Sequence, residues 1–180
     1  NRTSLIVDPP DGRIPPLTPE GRKRRAKEAR GFLGIDAAGP EDLSNQVRCI
    51  TYPVPNVLAG YNSFFHILQT PQYVVIFQEL IHDARIIPMD GRPHLPENIR
   101  QWHGDPRGRW DGDTLVVEST NFSPKSNFRG SAENLHLVER FTRIDAETIV
   151  YEITIDDPTT FARAWTIRIP LRSSPDPIFE

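Results

Sequence analysis

LHLVERFTRIDAETIVYEITIDDPTTFARAWTIRIPL, residues 135–171, decides the fold. Apolar side chains recur at every second position through three runs, Leu135 to Arg143, Glu147 to Ile155 and Thr160 to Leu171. A period of two puts them on one face of an extended strand, whereas one face of a helix needs a period near 3.6. Ile144-Asp145-Ala146 and Asp156-Asp157-Pro158-Thr159 separate the runs. Three strands therefore follow one another through short turns.

The same period extends toward the N-terminus. Asn62 to Gln69, Tyr73 to Ile81 and His82 to Met89 read as strands, and Asp111-Gly112-Asp113 turns into a further strand, Thr114 to Thr120. Seven or eight strands in sequence order predict a mainly β protein. Its expected form is an antiparallel meander closed as a barrel-like or strongly curved sheet, lipocalin-like in general architecture. Ahead of the strands, NRTSLIVDPPDGRIPPL reads as an extended arm, because paired prolines fix φ and remove donors. Its Leu5-Ile6-Val7 and Ile14 imply that it lies on a surface. Thr18 then caps a short helix with Pro19 in its first position, reading PEGRKRRAKEAR and stopping at Gly31. That helix carries six basic residues against two acidic ones. The expected organisation is an arm and basic helix over 1–31 and one β-rich domain over 32–180.

Composition sets limits. Proline supplies 18 of 180 residues, roughly double the usual share, which argues against a helical bundle. No apolar run is long enough to span a membrane. A net charge of −3 gives no general attraction to nucleic acid. The single Cys49 cannot form a disulfide within the chain; as a residue it reads as a small buried hydrophobe, as half of a disulfide with a partner elsewhere, or as a reactive thiol. Phosphate-binding glycine loops, nucleophile elbows and zinc spacings are absent from the sequence. No cofactor or metal is implied.

Three charges interrupt otherwise apolar strand faces: Glu79 in the set from Tyr73 to Ile81, Glu139 in the set from Leu135 to Phe141, and Arg163 in the set from Phe161 to Ile169. A buried charge is costly unless paired. Arg163 is therefore expected to pair with Glu139, with Glu79 and His66 nearby, forming the polar floor of a ligand pocket. On a strand of their own His82 and Ala84 face one way and Asp83 and Arg85 the other, so that Asp83 and Arg85 can pair on the surface, and His82 is a weak general-base candidate. Residues 90–113 form a long polar excursion whose Trp102 and Trp110 suit the lid of a sugar or aromatic site. The expected ligand-binding residues are thus His66, Glu79, Glu139, Arg163, Trp102 and Trp110.

The stretch from Ile81 to Phe122, IHDARIIPMDGRPHLPENIRQWHGDPRGRWDGDTLVVESTNF, resembles a family of exported proteins of soil and aquatic bacteria. So do the segment FRGSAENLHLVERFTRIDAETIVYEITIDDPTTFARAWT and the arm IVDPPDGRIPPLTPEGRKR. The resemblance implies a periplasmic or extracellular location after removal of a signal peptide. It also implies a short continuation past Glu180 whose cysteine partners Cys49. That family carries no assigned activity, so no site residue follows from it. The expected function is non-enzymatic: binding of a small molecule, or an accessory role in an assembly through the arm and basic helix. The alternative is a lyase, isomerase or hydrolase whose pocket is lined by His66, Glu79, Glu139 and Arg163.

Overall fold

The computed structural model describes residues 4–55, 63–126 and 128–175. Asn62, expected to open a strand, and the last residues of the 32–180 span lie outside them. Nine strands in antiparallel sheets and one α-helix make up the regular structure of the described residues.

The strands are β1 (Ile6–Asp8), β2 (Phe65–Gln69), β3 (Tyr73–Gln78), β4 (Ala84–Pro88), β5 (Asp105–Asp111), β6 (Thr114–Thr120), β7 (His136–Arg143), β8 (Thr148–Asp156) and β9 (Trp165–Arg172). They form two sheets instead of one. The larger has the order β1-β9-β8-β7-β6-β5 and the smaller the order β2-β3-β4. No ladder joins the two among the described residues, so the expected single closed sheet gives way to a six-stranded meander faced by a three-stranded one. The division falls at the excursion of residues 89–104, too long and proline-rich to continue the ladder from β4 into β5. From Asp105 that excursion becomes β5, which turns into β6 at Gly112-Asp113, with Gly112 at the positive φ that a two-residue hairpin needs.

The core lies between the sheets. Leu115 and Val117 of β6, Leu137 and Phe141 of β7, Tyr151, Ile153 and Ile155 of β8, and Trp165 and Ile167 of β9 face inward. Val74 and Ile76 of β3 and Ile87 of β4 meet them from the smaller sheet. At Gly108 the strands β4 and β5 approach so closely that a Cβ would lie 2.8 Å from Ile87 Cγ2.

The inward face of β3 is the opposite of the expected one: Val74, Ile76 and Gln78 are buried, while Tyr73, Val75 and Phe77 are only partly so. β3 ends at Gln78, one residue before Glu79. Residues 79–82 make a tight 3-10 turn in which Ile81 and His82 both adopt positive φ, and Gln78 N donates to Asp83 O across its base at 2.8 Å. That turn reverses the expected faces of β4, so Arg85 and Ile87 point in and Ala84 and Ile86 point out.

The helix α1 (Pro19–Leu33) is capped by Thr18, whose side chain accepts from Gly21 N, and it ends at Leu33, two residues beyond Gly31, with Gly34 in the left-handed conformation as its C-cap. Arm and helix dock on their own chain. β1 pairs with β9, Leu17 bridges Phe161, and Thr18 N donates to Thr160 O at 2.9 Å. Arg24 of the basic helix turns inward and donates to Gly130 O and Thr160 Oγ1. Ile6 and Val7 of the arm are thereby partly covered within the molecule, whereas Leu5 and Ile14 stay exposed.

Candidate functional site: a cleft between the sheets

The residues expected to share one site part company. Glu139 is fully buried at the centre of β7. Its cation is Arg85 of β4, not Arg163. Arg85 Nη1 donates to Glu139 Oε1 at 3.0 Å and Nη2 to Oε2 at 2.5 Å, while Tyr151 Oη donates to Oε1. Arg163 is exposed and pairs with Asp8 at 2.6 Å. The alternation that placed it inside runs through an irregular segment, because β9 begins only at Trp165. Glu79 sits half-buried on the 3-10 turn and accepts from Phe64 N at 3.3 Å. His66 is exposed on β2.

Arg85, Glu139 and Tyr151 form a fork closed on the carboxylate. The two guanidinium donors meet the two carboxylate oxygens side by side, the geometry that makes an arginine–carboxylate pair strong. Burial alone would lower the Arg85 pKa, but the charge and hydrogen bonds of Glu139 outweigh it and hold Arg85 above its ordinary value. Burial, with the Glu139 charge behind it, keeps the Tyr151 phenol well above its ordinary value. Tyr151 is thereby fixed as a neutral donor. Arg85 Nη2 also lies 3.4 Å from Ser119 Oγ, whereas Arg85 Nε has no hydrogen-bond partner.

Directly over this network is a chamber of about 20 Å³ walled by Gln78, Arg85 and Tyr151 together with Phe65, Ile67, Ile76, Phe141 and Leu171. It shares Ile67, Ile76 and Phe141 with one neighbouring cleft and Phe65, Ile67 and Leu171 with another. On one side of β2 a cleft of about 900 Å³ runs past Ile67, Ile76, Leu115, Phe141 and Ile149, with Trp110 at its rim. On the other side a cleft of about 790 Å³ runs past Phe65, Ile67, Ile149 and Leu171, with His66 at its rim. Ile67 lines all three spaces. Both clefts combine these apolar walls with charged ones, Asp113, Arg143 and Asp145 in the first and Arg143, Glu147 and Arg172 in the second, and a mix of apolar surface with a few placed polar groups is what small-molecule sites use.

Trp102 belongs to another surface. It lines a cleft of about 480 Å³ with Thr51, Asp83 and His103, and Arg85 lines this cleft as well as the chamber. Thr51 Oγ1 donates to Asp83 Oδ2 at 2.6 Å, and His103 Nε2 lies 2.6 Å from Thr51 Oγ1 and 3.0 Å from Asp83 Oδ2. Burial alone would raise the pKa of Asp83, but hydrogen bonds from His103 and Thr51, together with the His103 charge, hold it below its ordinary value. Asp83 is therefore tied to the 103 loop and is not paired with Arg85. His94 and Arg107 converge on the buried Asp105 in the same excursion. Among the described residues no group of three or more His, Cys, Asp and Glu side chains is placed to hold a metal ion. Cys49 is exposed, at positive φ, and is not the buried hydrophobe it resembles in sequence.

Arg85, Tyr151 and Gln78 are the floor residues that the sequence reading missed. Tyr151 shares the buried face of β8 with Ile153 and Ile155, a pattern that in sequence reads as packing. Arg85 stands two residues from Ile87 on a short strand, and the alternation Arg85, Ile87 was its only signal.

Comparison with family models, with curated proteins and with solved structures returned no match. No helix of the described residues is long and apolar enough to cross a membrane.

Proposed function

We propose that this protein is an extracytoplasmic binding module that takes up a small, mostly apolar molecule between its two sheets. The observation that carries this is the pair of clefts between the sheets that share Ile67 with the chamber walled by Gln78, Arg85 and Tyr151. The use of a β-walled cup would make it lipocalin-like in function as well as in strand-rich form. Its place outside the cytoplasm follows from the resemblance to exported proteins. A catalytic reading is less well supported. It needed His66, Glu79, Glu139 and Arg163 in one pocket, and only Glu139 is near the chamber, with both carboxylate oxygens engaged. An accessory role through the arm is less directly supported, because β1 pairs within the chain while only Leu5 and Ile14 of the arm's apolar residues stay exposed.

The test is a fluorescence titration with N-phenyl-1-naphthylamine, a neutral reporter that brightens in apolar surroundings. Saturable enhancement at one reporter per chain is expected. Ile67→Glu, which puts a charge where the three spaces meet, should weaken binding at least about tenfold, one reporter-sized burial being worth well over the ~1.4 kcal/mol that tenfold represents. Absence of saturable enhancement, or binding indifferent to Ile67→Glu in a variant that melts like the parent, overturns the reading.

A further inference from the structure

The polar floor also carries information about the head group of the ligand. Arg85 is fully buried and spends its two terminal nitrogens on Glu139 and Ser119. Its Nε–H is left without a partner. A buried unpaired donor costs free energy that a ligand acceptor can recover. The chamber walled by Arg85 measures about 20 Å³, enough for a single water-sized group. One oxygen atom therefore fits against the floor, and the rest of a ligand must lie in the apolar clefts.

Charge decides what kind of oxygen. Arg85 and Glu139 neutralise each other, and Tyr151 stands as a neutral donor to the same carboxylate. The floor thus has no net charge to offer. A carboxylate or phosphate entering the chamber would meet a guanidinium already paired with Glu139 and would be buried with no cation of its own, at high cost. A carbonyl or ether oxygen meets the free N–H without adding charge.

We infer that the cleft selects a neutral ligand bearing one terminal acceptor oxygen, such as a ketone, aldehyde or ester on an apolar body, and discriminates against the corresponding anion. This rests on the reading of the cleft as a ligand site, and the test separates the two. Nonan-2-one, nonanoate and nonane are each made to compete with N-phenyl-1-naphthylamine at pH 7.5. The ketone is expected to displace the reporter at about tenfold lower concentration than either of the other two, tenfold being what one hydrogen bond to a charged donor contributes. Reporter binding with the ketone no better than nonane, or with nonanoate equal or better, overturns the inference and leaves the cleft intact. Failure of the reporter itself to bind overturns the cleft reading instead.

A second measurement needs no variant. The Arg85 Nε–H resonance in a ¹⁵N-correlated spectrum should move on adding nonan-2-one and stay in place with nonane. A resonance unmoved by saturating ketone sinks the assignment. The paired replacement Arg85→Met with Glu139→Gln removes both charges while leaving Tyr151 an acceptor. It should lose the preference for ketone over nonane, read as the ratio of the concentrations at which the two displace the reporter. A preference kept in that variant would place the recognition elsewhere.

Discussion

Glu139 is the residue on which the interior turns. Its carboxylate accepts from Arg85 twice and from Tyr151 once, at full burial. Removing one partner of such a pair strands the other charge in the core, so Glu139→Ala should lower the unfolding free energy by about 3–5 kcal/mol in urea melts. Arg163→Gln, by contrast, cuts the exposed pair with Asp8 and an exposed hydrogen bond to Ala164 O, and should cost less than about 1 kcal/mol. Equal losses for the two would contradict the assignment of Arg85 as the interior cation. Glu139 was legible in sequence because it interrupts a clean alternation, Leu135-Leu137-Phe141. Its partner was not. YVVIF is apolar at every position from Tyr73 to Phe77, so alternation cannot say which of its faces is inward. A wrong choice there sends Arg85 outward and leaves Arg163 as the nearest remaining cation.

Elements that carry their own local signals were readable. Thr18-Pro19-Glu20 set the start of α1, and Gly112 fixed the β5–β6 hairpin. The turn at residues 79–82 was not, because Ile81 and His82 adopt a conformation that β-branched and ring side chains seldom choose. Tertiary contacts hold it, and no local sequence rule announces it. The docking of α1 makes a prediction that local propensity would reverse. In an isolated helix Gly21→Ala should stabilise. Here the added Cβ would lie 2.4 Å from Thr160 O, a backbone atom. The variant should therefore melt at lower temperature than the parent, and a higher melting temperature would show that α1 does not sit on the 157–161 turn. The latch of Asp83 to His103 and Thr51 has a pH signature. Its folded pKa lies below the ordinary 3.8, so the unfolded chain takes up the proton first as pH falls. The contribution is complete above that range and is lost on the way down through the folded value. Acid urea melts should show stability falling as pH drops below about 4, with a shallower fall in Asp83→Asn. Superimposable curves for parent and variant would remove Asp83 from the account.

At the scale of the molecule, the larger sheet ends at one side on β1, a three-residue strand laid along β9. Its attachment includes Arg168 N donating to Leu5 O at 2.9 Å and Ala162 N to Pro16 O at 2.9 Å. A chain lacking residues 1–17 should uncover the β9 edge and self-associate with rising concentration, since open strand edges template pairing. Light scattering would show this, and a shortened chain that stays monomeric at every concentration would mean that the arm does not protect the edge. The meander itself was legible from the period of two and its turns. The separation into two sheets was not, because periodicity gives faces and sequence order but not which neighbouring strands fail to pair. That separation opens the cleft, and the cleft is the central claim. Its most direct test is a chemical-shift map of the backbone amides with N-phenyl-1-naphthylamine added to saturation. The perturbed amides should centre on Ile67, Ile76, Phe141 and Ile149. Perturbations centred instead on the groove beside α1, at Phe32, Leu33 and Tyr52, or none at saturation, would contradict it.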